Sequence, residues 1–195
     1  MPFYLKEKEN FHELAGCKSV LIVPCRFCPA ASMAVSRNEP YIELLSRFLK
    51  TDSYEKLIKT IKANLEKQGI MTDVFRSNLL HQFVLCSWSS KKRTTLKEVA
   101  GQYEALLVLG CEAAVRTIQD AIQPTSCQVV QGMETEGLMS IKPRFHLPCN
   151  VSLELDSVTP VQKRNETASD PQRANILSSA CKSEQAEDRL QQMLH

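Results

Sequence analysis

Two cysteines, Cys25 and Cys28, stand three positions apart in the segment VLIVPCRFCPAAS, and their types and spacing suit chemistry. A Cys-x-x-Cys pair directs two sulfur atoms at one centre from a single turn of the chain. Thiolates at this spacing bind soft metals or act as a redox dithiol. The pair alone leaves three alternatives open: a metal or iron–sulfur site, a thiol–disulfide oxidoreductase that uses Cys25 and Cys28, and a metal-free scaffold.

The chain has eight cysteines among 195 residues, which is many for a protein without an export signal. Its first residues, MPFYLKEKENFHELAG, are charged and lack the apolar stretch of a signal peptide. No segment approaches the roughly 18 apolar residues of a transmembrane helix, so we expect a cytoplasmic protein. Disulfides are disfavoured in that compartment, and several thiols are therefore expected to bind metal or do redox work. We interpret Cys17, Cys127 and Cys181 as small buried residues.

Composition argues against several other function classes. Lysine and arginine number 24 and aspartate and glutamate 22, so the net charge of +2 favours neither nucleic acid nor a membrane surface as a partner. There are only six glycines, and neither a dinucleotide-binding nor a P-loop motif occurs. We therefore expect no nucleotide or flavin site of the usual glycine-rich kind.

Buried strands and amphipathic helices alternate along the chain. Residues 18–23 (KSVLIV) and 104–111 (EALLVLGC) are continuous apolar runs, which is typical of parallel strands buried on both faces. An apolar stripe at helical spacing predicts a helix from Thr51 to a stop at Gly69. Further strands are predicted at 70–76, within 81–90 and at 127–133, an extended segment at 144–155, and helices at 40–49, 95–103 and 112–122.

This alternation predicts an α/β fold, namely a flavodoxin-like or Rossmann-like three-layer domain with a parallel sheet. We assign residues 1–157 to a single α/β domain. Residues 158–195 are rich in serine, glutamine and charge, and we interpret them as a polar flexible tail with a short terminal helix from Ser183.

The predicted sheet brings distant cysteines to one edge. Ligands of such sheets bind outside the carboxyl ends of the strands, and the cysteines that follow predicted strands are Cys25, Cys28, Cys86 and Cys111. Four such thiols would suit zinc or an iron–sulfur cluster, and Cys149 is an alternative fourth ligand. Helix N-termini at these junctions favour thiolate, and Gly110 lets the chain approach closely.

The segments VLIVPCRFCPAAS, VLC and ALLVLGCEAAVRTI resemble the small subunit of acetogen-type methylenetetrahydrofolate reductase, a module also found as a C-terminal domain in related reductases. That resemblance implies metal or iron–sulfur binding beside a folate- and flavin-dependent enzyme. Carried over by position, it implies the ligands Cys25, Cys28, Cys86 and Cys111.

A looser resemblance links PCRFC, LGC and LPC to the cluster ligands of the small subunit of nickel–iron hydrogenases, with Cys149 in place of Cys86. Together these resemblances imply an accessory subunit, electron-transfer or structural, in one-carbon or methyl-transfer metabolism. Its partner would be a reductase or methyltransferase subunit. In the competing scaffold hypothesis, a loop at GMETEG (residues 132–137) docks the partner without metal.

Overall fold

A computed structural model describes residues 2–8, 10–43, 51–75, 84–146 and 150–161, which form two four-stranded sheets and four helices. The strands are β1 (Phe3–Glu7), β2 (Ser19–Pro24), β3 (Ile42–Glu43), β4 (Met71–Val74), β5 (Ala105–Leu109), β6 (Gln128–Gln131), β7 (Met133–His146) and β8 (Asn150–Pro160). The helices are α1 (Cys28–Arg37), α2 (Asp52–Lys67), α3 (Ser90–Ala100) and α4 (Glu112–Ile122), with 3₁₀ turns at His12–Leu14 and Leu85–Ser87.

The parallel sheet has the order β4-β2-β5-β6 and forms the centre of the fold. Every residue of β2 and β5 is buried, as their unbroken apolar sequences predict. The chain passes from β2 through α1 and α2 to β4 on one side, and from β5 through α4 to β6 on the other. Because crossovers between parallel strands are almost always right-handed, connections that run in opposite directions along the sheet place helices on both of its faces. The structure therefore confirms the predicted three-layer α/β class.

The strand order creates a switch point between β2 and β5. The connection leaves β2 toward β4 on one side, and the chain then returns to the other side of β2 to form β5. This matches the order of the first four strands in flavodoxin-like sheets, where ligands bind at the carboxyl ends beside the switch point. The loops after β2 and β5 carry cysteines, so the topology places thiols at that edge.

Helix α2 forms as its sequence predicts. Its buried side chains include the predicted apolar stripe, and Gly69 follows its end with a φ of +81°, a conformation that glycine adopts without strain. Among the described residues, no helix combines the length and apolar composition needed to cross a membrane.

An antiparallel sheet of order β1-β7-β8-β3 was not predicted. The hairpin β7–β8 runs from the pair Gly137↔Pro160 to the pair His146↔Asn150, and β1 lies beside the first half of β7. Residues 133–137 of the predicted loop at 132–137 belong to β7. Met133 and Gly137 are buried while Glu134 and Glu136 are exposed, as expected for a strand whose successive residues face opposite sides of the sheet. Of the predicted extended segment at 144–155, residues 144–146 belong to β7 and residues 150–155 to β8, which continues to Pro160. Residues 147–149 lie outside the described residues.

The segment around Cys86 differs from its prediction. Leu85–Ser87 form a 3₁₀ turn rather than the end of a strand, and α3 begins at Ser90, earlier than the predicted 95. Leu85 and Trp88, three positions apart, are both buried, which is the spacing of a helical turn. Outside the described residues lie residues 81–83 of that predicted strand, residues 44–49 of the predicted helix at 40–49, and residues 162–195 of the predicted tail. Ile42–Glu43, which were predicted as part of that helix, form strand β3.

We predict that Ser32→Ala will lower the free energy of unfolding by about 1–3 kcal/mol, because it leaves the buried N–H of Leu5 without an acceptor. The Ser32 hydroxyl accepts the N–H of buried Leu5 at 2.9 Å and faces the carbonyl oxygens of Cys28 and Phe3, so it joins β1 to α1. Urea denaturation measures the change. The control Ser36→Ala removes an exposed hydroxyl that bonds within α1, and should change stability by less than about 0.5 kcal/mol. Equal changes in the free energy of unfolding for the two substitutions would contradict the role of the Ser32 hydroxyl in joining β1 to α1.

Candidate thiol site

The ends of β2 and β5 meet at Cys25. This buried residue directly follows β2, and its N–H donates to the carbonyl oxygen of Leu109 at 2.9 Å. A Cβ added to Gly110 would lie 3.3 Å from the Cβ of Cys25 and 2.8 Å from that of Ala114. The glycine is therefore what allows the two chains and α4 to pack this closely, which confirms the expectation from the sequence.

Cys28 and Cys111 act on each other's pKa. Cys28 opens α1 and Cys111 is the N-cap residue of α4. The Cys28 thiol donates a hydrogen bond to the Cys111 sulfur, which also accepts backbone N–H groups of Ala113 and Ala114. These bonds hold the pKa of Cys111 well below its usual value, the Cys28 bond having the largest effect. The same bond and burial raise the pKa of Cys28, which remains the protonated donor.

Cys25 behaves differently from both. Burial raises its pKa to about 11, although its sulfur accepts the backbone N–H groups of Phe27 and Leu85. Cys111 and Cys86, in their ionised forms, also raise the pKa of Cys25. The bond from Leu85 brings the 3₁₀ turn that carries Cys86 to the edge of the parallel sheet.

Cys86 completes the thiol cluster, which we define as Cys25, Cys28, Cys86 and Cys111. The side chain of Cys86 is exposed, and its pKa is raised by partial burial and by the charge of Cys111. The four thiols that were predicted to share a site lie near enough for each to act on the pKa of at least one other, and Cys86 lies on a 3₁₀ turn. Their binding of a metal stays a prediction. Cys149 lies outside the described residues.

The cluster fits a metal by donor type but is not a preformed cage. Within the described ranges, no three Cys, His, Asp or Glu side chains are arranged to hold a metal ion. The sulfur atoms of Cys25, Cys28 and Cys111 each accept backbone N–H groups, an arrangement that stabilises thiolates and tunes iron–sulfur and zinc sites.

Two tyrosines that the sequence analysis did not assign to the site lie beside it. The Tyr54 hydroxyl donates to the carbonyl oxygen of Leu109 at 3.1 Å, and burial followed by the charge of Cys25 raises its pKa. Burial and the charges of Cys25 and Cys28 likewise raise the pKa of Tyr41. Tyr54 belongs to the apolar stripe from which α2 was predicted. The signal for its second role is its place in the first turn of a helix that begins at the carboxyl edge of the sheet.

An ion pair fixes the turn between Cys25 and Cys28 against α2. Arg26 Nε lies 2.8 Å from Glu55 Oε1, and the side chains are 15% and 23% exposed. The positive charge of Arg26 acts on Tyr54 in the direction that lowers its pKa, opposing the effect of burial. The Cys-x-x-Cys turn is therefore held from both sides, by β5 through Leu109 and by α2 through Glu55.

Two other cysteines lie at the opposite edge of the parallel sheet. Cys17 precedes β2 and Cys127 precedes β6, and both are partly buried against the hydrophobic core. This agrees with their interpretation as small packing residues. Cys181 lies outside the described residues.

Comparison with known protein families, curated proteins and solved structures finds no match to this chain. The resemblance to the methylenetetrahydrofolate reductase small subunit therefore stays a prediction. Function must be inferred from the geometry of the thiol cluster itself.

We predict that Gly110→Ala will destabilise the protein by about 1–3 kcal/mol, because the new methyl group collides with Ala114 and presses on Cys25. Gly101→Ala is the matched control. Gly101 has a right-handed helical conformation, and the nearest atom to an added Cβ is 3.9 Å away, so alanine should be neutral or slightly stabilising. Unfolding midpoints in urea measure both, and equal midpoints would contradict the close approach at Gly110.

We predict that Cys28→Ala will raise the pKa of Cys111, because the substitution removes the hydrogen bond that most favours the thiolate. A pH titration of thiolate ultraviolet absorbance, on reduced protein stripped of metal, measures this. The most acidic thiolate should move to higher pH in Cys28→Ala and stay in place in the control Cys17→Ala. An unchanged titration in Cys28→Ala would contradict the bond between these sulfur atoms.

The same bond predicts how stability depends on pH. A thiol whose pKa is lower in the folded than in the unfolded protein stabilises the fold fully above its ordinary unfolded value of about 8.5. That contribution is lost as pH falls through the lower folded value. Urea denaturation below pH 9 should therefore show a fall in stability toward acid that is smaller in Cys111→Ser than in the wild type.

Proposed function

We propose that the protein binds a zinc ion or an iron–sulfur cluster through the thiol cluster and serves as an accessory, electron-transfer or structural subunit. Its partner would be a cytoplasmic reductase or methyltransferase of one-carbon or methyl-transfer metabolism. One observation carries the proposal: three separate segments deliver Cys25, Cys28, Cys86 and Cys111 to the switch point of a parallel sheet.

The donor set supports a soft metal. Cys28 and Cys111 would supply two sulfur ligands, and Cys25 and Cys86 would complete a set of four, with Cys149 as the alternative to Cys86. Metal ligands must be deprotonated, and the lowered pKa of Cys111 means that this sulfur is available as thiolate at little cost. A bound zinc ion would cross-link the ends of β2 and β5, whereas an iron–sulfur cluster would transfer single electrons.

The exposure of Cys86 supports an accessory role. The other three thiols are buried or half-buried, while Cys86 lies at the surface of the described structure. A partner protein could therefore approach one side of the centre closely. Adjacent Arg93 donates to the carbonyl oxygen of Trp88, which fixes the start of α3 beside this approach.

We predict that protein purified without oxygen will contain zinc or iron, and that Cys28→Ser and Cys111→Ser will each lower metal content by at least about tenfold. Loss of even an outer contact to a ligand costs about 10–100-fold in metal binding. Cys17→Ser and Cys127→Ser, at the opposite edge of the sheet, are matched controls and should retain the metal. Metal analysis with visible absorbance separates zinc, which is colourless, from a brown iron–sulfur protein.

The fourth ligand is decided by comparing Cys86→Ser with Cys149→Ser in the same assay. Wild-type protein that binds no metal under reducing, anaerobic conditions would contradict the proposal. If that protein reduces disulfides, it is a thiol–disulfide oxidoreductase. If it binds its partner equally well as Cys25→Ser, it is a scaffold.

A further inference from the structure

Strand β8 has an open edge. It is 11 residues long, and β7 pairs with it along its length on one side. On the other side, β3 pairs only with Asn150 and Val151. Among the described backbone hydrogen bonds outside helices and strand pairs, the only one that reaches β8 runs from the N–H of Tyr41 to the carbonyl oxygen of Val151. Within the described part of the chain, the outward backbone groups of residues 152–160 therefore have no strand partner.

An open edge of this length is unusual in this protein. The strands at the edges of the two described sheets are short, since β1 has five residues, β4 and β6 have four each, and β3 has two. Short edge strands are one of the means by which proteins avoid pairing with other chains. Strand β8 departs from this rule, and departures from the general rules of folding are expected at functional sites.

The two faces of β8 differ in chemistry. Successive residues of a strand face opposite sides of the sheet, so Leu153 and Leu155 share one face, and Leu155 is 42% exposed. Glu154 and Asp156 lie on the other face, where both form ion pairs with β7. The side chains of these two acids are 47% and 52% exposed, so both remain accessible from the open edge.

The two acids oppose pairing of β8 with a second copy of the chain. In an antiparallel pair between two copies of β8 centred on residue 154, 155 or 156, one acidic side chain would lie directly opposite another. Like charges in that position destabilise a pair of strands. Charges on edge strands are a means by which proteins prevent such self-association. A strand with positive charges at these positions would instead be attracted.

We propose that the open edge of β8, residues 152–160, binds an extended strand of a partner protein in which apolar residues alternate with lysine or arginine. The backbone of that strand would pair with β8 and extend the antiparallel sheet. Its apolar side chains would lie beside Leu153 and Leu155, and its basic side chains beside Glu154 and Asp156. No residue of the thiol cluster belongs to this sheet, so the proposal does not depend on metal binding.

Binding of synthetic peptides to the full-length protein tests the edge. The probe alternates valine and lysine over about seven residues, a usual strand length, and carries a fluorophore for anisotropy. The net charge of the protein is +2, so a cationic peptide has no general attraction to it. The lysine peptide should bind at least about fivefold more tightly than a peptide that alternates valine and glutamate, because two cross-strand charge pairs change sign. The lysine peptide with N-methylated amides should not bind, because it cannot pair with β8.

Amide hydrogen exchange of the wild-type protein locates the bound lysine peptide. Exchange within residues 152–159 should slow on binding, whereas exchange in β1, at the opposite edge of the same sheet, should not change. Protection of β1 alone, or equal affinity for the lysine and glutamate peptides, would overturn the proposal. Dimers of the protein in which residues 152–159 are already protected would assign the edge to a second copy, and would also overturn it.

Charge reversal supplies matched variants. The combination of Glu154→Lys with Asp156→Lys should reverse the preference, so that the glutamate peptide binds more tightly than the lysine peptide. The control combines Glu98→Lys with Asp120→Lys, which changes the net charge equally at exposed acids of α3 and α4 and should keep the original preference. The same reversal in both variants would show that net charge selects the peptide, and would overturn the assignment to β8.

Discussion

The carbonyl oxygen of Leu109 accepts two hydrogen bonds, from the N–H of Cys25 at 2.9 Å and from the hydroxyl of Tyr54 at 3.1 Å. Through this one atom the end of β5 is tied to the end of β2 and to helix α2. The chain then turns at Gly110, where there is no room for a side chain, and enters α4 at Cys111. The position of every thiol in the cluster depends on this junction, because it sets how closely the loops after the two central strands approach.

The elements that were predicted well are those whose signal is local. The strands β2 and β5 are continuous apolar runs, and α2 has a regular apolar stripe and a glycine stop. The antiparallel sheet was not predicted, because its signal is weaker and its pairing is remote. In β7 the inward positions include Gly137, which has no side chain to mark them, and β1 pairs with β7 from the other end of the described chain. Propensity and periodicity do not specify such long-range partners.

The cluster shows a similar division. That Cys25, Cys28 and Cys111 would meet followed from the rule that ligands collect at the carboxyl ends of parallel strands. How the four side chains would be arranged did not follow, because that depends on the angle at which α1 and α4 begin. Cys28 lies in the first turn of α1 and Cys111 is the N-cap residue of α4, and these helices follow the neighbouring strands β2 and β5. The roles of Tyr41 and Tyr54 were hidden because an aromatic side chain in a helical pattern is ordinarily a packing residue.

The long separation between β1 and β7 has a consequence for synthesis on the ribosome. The backbone of Phe3 in β1 interacts with the Cys28 thiol. Phe3 pairs with Leu138 of β7, which lies far along the chain. At ordinary translation rates the chain between them takes on the order of 10 s to emerge. Until then β1, the strand beside Cys28, lacks its partner strand in the antiparallel sheet. Completion of the thiol cluster is therefore a late event in the life of each new molecule.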